Sequence, residues 1–153
     1  MTRTFVLGCT LALAAGIANP AGAQAPLADS LAAVSAVEQF HAALSAADSS
    51  RAVALLADDV LIIEGGHIQT RSEYLGGHLA GDMKASQGSR GVRTVVKVTI
   101  VAGAAFIVSK TVSPPTSAPG STGSELAELM VLSPTVAGWK IRSVHWSSRR
   151  RRA

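Results

Sequence analysis

The sequence is poor in cysteine, in aromatic residues and in charge. Cys9 is the only cysteine among 153 residues, aromatic side chains make up 4% of the chain, and charged residues make up 16%. Because Cys9 lies in an N-terminal apolar run, the rest of the chain has no thiol for a disulfide, a nucleophile or a thiolate metal site. The fold must therefore depend on packing alone.

No sustained basic surface is expected, although the formal net charge is +4. Of the 14 Lys and Arg residues, Arg3 and the arginine run at 149–152 stand outside the body of the chain, which leaves nine cations against ten acidic residues. That balance argues against nucleic-acid binding. The arginine run predicts a basic, disordered tail at residues 148–153, with weak attraction to anionic lipid or lipopolysaccharide phosphate as the alternative.

The first residues have the pattern of a secretory signal peptide. Arg3 is followed by an apolar run of thirteen residues at 5–17 and then by the small residues 21–23. A membrane span needs about 20 apolar residues, so we interpret residues 1–23 as a leader that is cleaved after Ala23. The sequence thus predicts a periplasmic or secreted protein with one domain at residues 24–147 and no transmembrane segment after the leader is removed.

Apolar periodicity predicts three helices. The first begins at Asp29 or Ser30 and has one apolar stripe, formed by Ala33, Val37, Phe40, Leu44 and Ala47. Residues 48–50 end it and cap a second helix at 51–57, which leads into a buried strand at 60–64. The third helix covers residues 71–84. Thr70 and Glu73 form its capping box, and its three glycines each cost about 1 kcal/mol, so it should be the softest helix.

The second half of the chain predicts two β-hairpins. Residues 92–101 and 104–112 are rich in β-branched side chains and join at Ala102-Gly103, and residues 125–132 and 139–147 form the second pair. Residues 113–124, with three prolines, predict a long loop at a sheet edge or pocket mouth. Helices followed by consecutive hairpins indicate an α+β domain in which an antiparallel sheet curls around its helices.

Strict alternation along the last strand predicts two different faces. One face carries Trp139, Ile141, Ser143 and His145, and it is typical of a pocket wall that becomes polar toward its end. The other face carries Lys140, Arg142, Val144 and Trp146. An exposed Trp146 on the outer sheet face would favour a homodimer.

The order of elements resembles the nuclear transport factor 2 superfamily, which includes SnoaL-like polyketide cyclases, ketosteroid isomerases and limonene epoxide hydrolases. The matching segments are residues 40–44, 55–59, 64–67, 73–75, 138–141 and 145–147. The resemblance covers nearly all of the chain after residue 23. It implies a cone-shaped curved sheet around about three helices, with a conical pocket, but it leaves the activity open because this scaffold hosts enzymes, binding modules and oligomerisation domains.

Glu64, His78 and Asp82 are candidates for acid–base chemistry. Tyr74, His78 and Asp82 follow one edge of the predicted third helix, so Asp82 could orient His78 as a general base. The alternative is a helix-edge salt bridge. Glu64 ends a buried strand, where desolvation would raise its pKa, but it could equally cap a turn or pair with Arg93.

The predicted pocket walls are Phe40 and Tyr74 from the helices and Trp139, Ile141 and His145 from the sheet. A satisfied core histidine is the alternative for His145. A metal site could gather His67, His78, Asp82 and His145, but only two of them have a fixed spacing and no His-Glu-x-x-His pattern is present. We therefore assign no metal ion and no cofactor.

The sequence favours an exported protein that binds a small apolar or carbonyl-containing compound and transfers protons without a cofactor. The alternative from another class is a non-enzymatic dimerisation or accessory domain with a vestigial pocket. A metal-dependent enzyme and an envelope-binding protein acting through its arginine tail rank lower.

Overall fold

The computed structural model describes residues 21–117 and 121–151, with side chains from Leu27 onward. Most of the predicted leader, part of the loop at 113–124 and the last two residues of the predicted tail lie outside the described residues. Within the described part, no helix is long and apolar enough to cross a bilayer.

The helices of the described chain are α1 (Ala21–Ser45), α2 (Ser49–Leu55), α3 (Arg71–Gly76) and α4 (His78–Gln87). The predicted stripe on α1 is confirmed for Ala33, Val37, Phe40 and Leu44, which are at most 2% exposed. The helix begins earlier than its sequence pattern predicts. Asp48 caps α2 as expected, because its side chain accepts a hydrogen bond from the Arg51 amide at 2.9 Å.

The predicted third helix is interrupted. Its capping box is present, with the Thr70 amide donating to Glu73 at 2.8 Å and the Glu73 amide donating to Thr70 at 3.4 Å. The helix ends at Gly76, and α4 starts at His78 after Gly77, whose backbone (φ −141°, ψ −76°) is not helical. A continuous helix at 71–84 was therefore a wrong prediction, because clustered glycines lower helix propensity and add no packing.

A six-stranded curved sheet covers one side of the helices. Its strands are β1 (Leu56–Glu64), β2 (His67–Thr70), β3 (Val92–Val101), β4 (Ala104–Ser113), β5 (Ser124–Thr135) and β6 (Gly138–Arg150), in the order β2-β1-β6-β5-β4-β3. Among the described strands, β1 and β6 are the one pair that runs parallel. Both predicted hairpins and the α+β class are confirmed, whereas β2 was not predicted. Gly65 and Gly66, with φ of 57° and 83°, form the turn before β2.

The core lies between the concave face of the sheet and the helices. Ile62, Val144, Met130 and Ile107 lie side by side across β1, β6, β5 and β4, and each is at most 1% exposed. They pack in one cluster with the stripe of α1 and with Tyr74 of α3. Burial of this apolar surface holds the helices to the sheet.

A β-bulge divides β6 and reverses the faces predicted for its second half. Leu132 pairs with Ile141 and Val131 pairs with Ser143, so Arg142 is an extra residue on β6. An extra residue exchanges the faces of every later side chain. Trp139 and Ile141 do face the helices as predicted, but beyond the bulge it is Val144 and Trp146 that are buried, while His145 is exposed on the convex face. The predictions that His145 points into a pocket and Trp146 outward were wrong.

The predicted disordered tail is also wrong at residues 148–150, because β6 continues through them. The Arg149 guanidinium donates to a Glu125 carboxylate oxygen at 2.6 Å. The Arg151 amide donates to the Gly123 carbonyl at 3.1 Å. Pairing with β5 thus extends the sheet into the arginine run.

Candidate functional site

A cavity of about 310 Å³ opens between α1, α4 and the concave face of the sheet. One part of its lining combines apolar and titratable side chains: His41, Leu44, Glu64, Asp82 and Trp146. Another part carries hydroxyl groups: Ser86, Ser89, Thr111, Ser113, Ser124 and Ser148. The cavity can therefore contact both an apolar molecule and polar substituents on it.

Strand register explains why the titratable residues meet here. Glu64 on β1 pairs with Trp146 on β6, Trp146 pairs with Glu128 on β5, and Glu128 pairs with Ser109 on β4. Trp146, Glu128 and Ser109 are all buried on the concave face, next to the apolar core row. Of this row, Glu64 and Trp146 line the cavity, and Glu128 lies directly beneath Trp146.

Asp82 is held by a buried tyrosine. The Tyr74 hydroxyl donates to Asp82 Oδ2 at 2.8 Å, and Tyr74 is fully buried. Burial and the neighbouring Asp82 charge raise the pKa of Tyr74 well above its usual range, so its hydroxyl keeps its proton. Burial also raises the pKa of Asp82, although the Tyr74 hydrogen bond and the charge of His78 partly oppose it.

Glu64 supplies a second carboxyl group at the exposed end of β1. Partial burial and then the Asp82 charge raise the pKa of Glu64, while the charge of His78 opposes them. Two carboxyl groups with raised pKa values therefore line the same cavity. Ionisation of Asp82 makes ionisation of Glu64 less favourable.

His78 does not form the predicted pair with Asp82. Its Nδ1 lies 2.6 Å from Oε1 of Gln69, and the residue is exposed at the start of α4. Asp82 is instead hydrogen-bonded to Tyr74. The break at Gly77 separates α3, which carries Tyr74, from α4, which carries His78 and Asp82. His78 remains near enough to influence both carboxyl groups electrostatically.

Glu128 is a buried carboxylate beneath the cavity and is only 3% exposed. It accepts hydrogen bonds from Ser109 Oγ at 2.6 Å and Trp146 Nε1 at 2.7 Å. His41 Nε2 lies 2.8 Å from it, and an Arg93 nitrogen lies 3.5 Å away. Arg93 therefore pairs with this residue, and also with Glu38, rather than with Glu64.

These contacts keep Glu128 ionised. Burial by itself would raise the pKa, but the hydrogen bond and charge of His41, with the hydrogen bonds from Ser109 and Trp146, outweigh it and lower the pKa of Glu128 to about 2. The hydrogen bond from Trp146 to this charge fixes the indole in place, and the His41 imidazole lies beside it.

The other predicted pocket residues lie elsewhere. Phe40 and Ile141 are fully buried in the core, and Trp139 is buried near the opposite end of β6. The lining of the 310 Å³ cavity includes none of them. Tyr74 reaches the site through its hydrogen bond to Asp82. His145 is on the convex face, away from the other three residues of the metal set that the sequence raised as an alternative. No cluster of three such ligands occurs among residues 21–117 and 121–151.

Sequence reasoning missed His41, Glu128 and the inward position of Trp146. A signal existed for Glu128, since it is a lone carboxylate between Leu126 and Met130 on the apolar face of a strand. No comparable local signal marks the bulge that turns Trp146 inward.

A groove of about 520 Å³ lies at the other end of the sheet, beside α2 and the start of β1. Two of its three cations are hydrogen-bonded, since Arg142 donates to Asp59 at 2.6 Å and Lys140 donates to the Ala54 carbonyl. The third is Arg71, whose Nε lies 3.9 Å from Oδ1 of Asp58. This groove is less suited to an apolar ligand than the cavity that contains Trp146.

Comparison with solved structures identifies close relatives of the fold. A proposed ketosteroid isomerase from Shewanella frigidimarina NCIMB 400 is 34% identical, with a TM-score of 0.64 over 76% of this chain and 94% of that protein. An NTF2-like protein of unknown function from Shewanella baltica OS155 is 14% identical, with a TM-score of 0.57 over 82% and 97%. The CaMKII hub of S. rosetta is 14% identical, with a TM-score of 0.67 over 78% and 96%. No protein-family model and no curated protein matches the chain.

Proposed function

Because the chain belongs to the nuclear transport factor 2-like superfamily, with a ketosteroid isomerase-like α+β fold, we propose that it binds a small apolar carbonyl compound in the 310 Å³ cavity and transfers a proton on it without a cofactor. A single observation carries the proposal: Glu64 and Asp82, two carboxyl groups with raised pKa values, line one cavity with Trp146, and a buried tyrosine hydroxyl orients Asp82.

The two carboxyl groups have different roles in this reaction. Asp82 accepts the Tyr74 hydrogen bond, which together with the charge of His78 favours its carboxylate, and the Asp82 charge in turn favours the protonated form of Glu64. The protonated Glu64 carboxyl donates a hydrogen bond to the carbonyl oxygen of the ligand. The Asp82 carboxylate removes a proton from the neighbouring carbon, and the electron pair moves onto the carbonyl oxygen as an enolate. Asp82 then returns the proton to carbon as the enolate reverts to the ketone.

The test is deuterium exchange at the α-carbon of an apolar cyclic ketone in heavy water, followed by proton NMR. Glu64→Gln and Asp82→Asn should each slow exchange by about 100-fold or more. Glu125→Gln is the matched control, because Glu125 is a carboxylate on the convex face, bonded to Arg149. Exchange at the wild-type rate in the Glu64→Gln, Asp82→Asn double variant would contradict the proposal.

A second function is favoured by the convex face of the sheet. Apolar side chains are exposed there, including Leu61 (42%), Phe106 (37%) and Val96 (64%). We infer that two copies of the chain associate through this face. These side chains, and not Trp146, support a homodimer, because Trp146 is buried on the concave face. A non-enzymatic dimerisation domain would keep this apolar convex face and would not catalyse deuterium exchange of the ketone.

Export is a further part of the proposal, resting on the apolar run at 5–17 and the small residues at 21–23. Intact-mass measurement of protein isolated from its source should give the chain without its first 23 residues. A mass that includes them would contradict export by cleavage.

A further inference from the structure

The cavity has a polarity gradient that the proposed reaction does not use. Hydroxyl groups from α4, the segment after it, β4, β5 and β6 line its outer part, and these are Ser86, Ser89, Thr111, Ser113, Ser124 and Ser148. Proton transfer at Glu64 and Asp82 needs none of them. Their position indicates a part of the ligand that is distant from the reacting carbon.

Strand register builds this outer part from two successive rows of the concave face. The first row contains Ser148, Leu126 and Thr111, and the second contains Arg150, Ser124 and Ser113. Both rows lie beyond the row of Trp146 and Glu128. Since a strand rises about 3.4 Å per residue, backbone positions 146 and 150 are about 14 Å apart.

Arg150 places an exposed cation on the same face as the hydroxyl groups, beside the cavity lining rather than within it. It pairs directly with the lining residue Ser124, and it follows Trp146 and Ser148 at alternate positions of β6, which puts it on their face of the strand. No ion pair to Arg150 occurs among the described residues. Its neighbour Arg149 points to the convex face and pairs with Glu125.

The other charges of the cavity determine which end of a ligand Arg150 would contact. Glu64 and Asp82 lie at the apolar end beside Leu44 and Trp146. An ionised carboxyl group at the apolar end repels an anion, whereas serine hydroxyls and a guanidinium group at the outer end attract one. A neutral polyol would use the hydroxyl groups but would gain nothing from Arg150.

The geometry points to a ligand that is anionic at one end. Its apolar carbonyl part packs against Leu44 and Trp146, and its carboxylate, sulfate or phosphate is held at the outer rows by the hydroxyl groups of Ser113, Ser124 and Ser148 and by Arg150. This inference rests on the proposed function and names the class of molecule that the same cavity takes.

Two fluorescent probes that share one skeleton test the inference. The probe 8-anilinonaphthalene-1-sulfonate carries a sulfonate, and N-phenyl-1-naphthylamine is the same anilinonaphthalene without it. The anionic probe should bind about tenfold more tightly at low salt. That preference should shrink as salt screens the Arg150 charge.

Two neighbouring arginines provide a matched pair of variants. Arg150→Gln should remove most of the preference for the anionic probe and leave binding of the neutral probe unchanged. Arg149→Gln removes the same charge one residue away on the opposite face, and it should leave the preference intact. Ala85→Trp, at an exposed lining position, should obstruct the cavity and weaken both probes.

The outcomes separate this inference from the proposed function. Equal affinity for the two probes, or an equal loss in Arg149→Gln and Arg150→Gln, would overturn the anionic end and leave the binding cavity standing. Failure of both probes to bind, or binding that Ala85→Trp does not weaken, would overturn the cavity as a ligand site and this inference with it.

Discussion

Glu128 is ionised although only 3% of it is exposed, and the cost of desolvation is offset by its neighbours. Serine, indole and imidazole groups surround it at 2.6 to 2.8 Å. Removing one partner of such a buried charge commonly destabilises a protein by about 3 to 5 kcal/mol, because the remaining group is left without compensation. The indole of Trp146 should therefore be held in a fixed position by Glu128.

We expect the stability contributed by Glu128 to depend on pH. Its pKa is about 2 in the folded chain and about 4.5 when unfolded, so the unfolded state binds more protons between these values. The contribution is complete above pH of about 4.5 and is lost as pH falls toward 2.

Glu128→Gln tests this expectation by urea unfolding at several pH values. The variant should be less stable than the wild type by about 2 kcal/mol at neutral pH, and the difference should narrow in acid. Glu38→Gln is the control, because Glu38 is the exposed partner of Arg93, and it should change the free energy of unfolding little. A difference that stays constant down to pH 2.5 would show that the charge of Glu128 contributes nothing.

At the scale of elements, α3 is a six-residue helix whose start is fixed by its capping box and which carries Tyr74. Thr70→Ala removes the side chain that accepts from the Glu73 amide, so we expect a loss of about 1 kcal/mol in urea unfolding. Thr70→Ser is the control, because it keeps a hydroxyl that can accept from that amide. Equal effects of the two substitutions would contradict a capping role.

Local sequence patterns predicted most of the helices and strands, whereas the bulge and the parallel strand contact depend on pairing between residues distant in sequence. The apolar stripe of α1, the Asp48 cap and the Ala102-Gly103 hairpin depend on neighbouring residues and were predicted from them. The bulge at Arg142 depends on how β5 and β6 pair, and the parallel contact of β1 with β6 brings Glu64 beside Trp146. Glu64 and Asp82 could be selected as candidates from the sequence, but their partners could not.

For the whole molecule, the curved sheet separates a concave face that forms the cavity from a convex face with exposed apolar side chains. We expect sedimentation velocity to give a homodimer, and Phe106→Glu to give folded monomers, because a buried charge opposes association. Val136→Glu is the matched control at an exposed turn, outside the sheet. A monomeric wild-type protein, or dimers in Phe106→Glu, would contradict association through the convex face.

The extra residue in β6 also limits how the gene for this protein can change length. Deleting Arg142 alone would turn the indole at 146 to the solvent and the imidazole at 145 into the cavity, and Glu128 would lose its hydrogen bond from Trp146 in a single mutational event. Deletions or insertions of two residues would keep the orientation of the strand. Odd-numbered length changes between Ile141 and Val144 should therefore be rare among functional descendants of this chain.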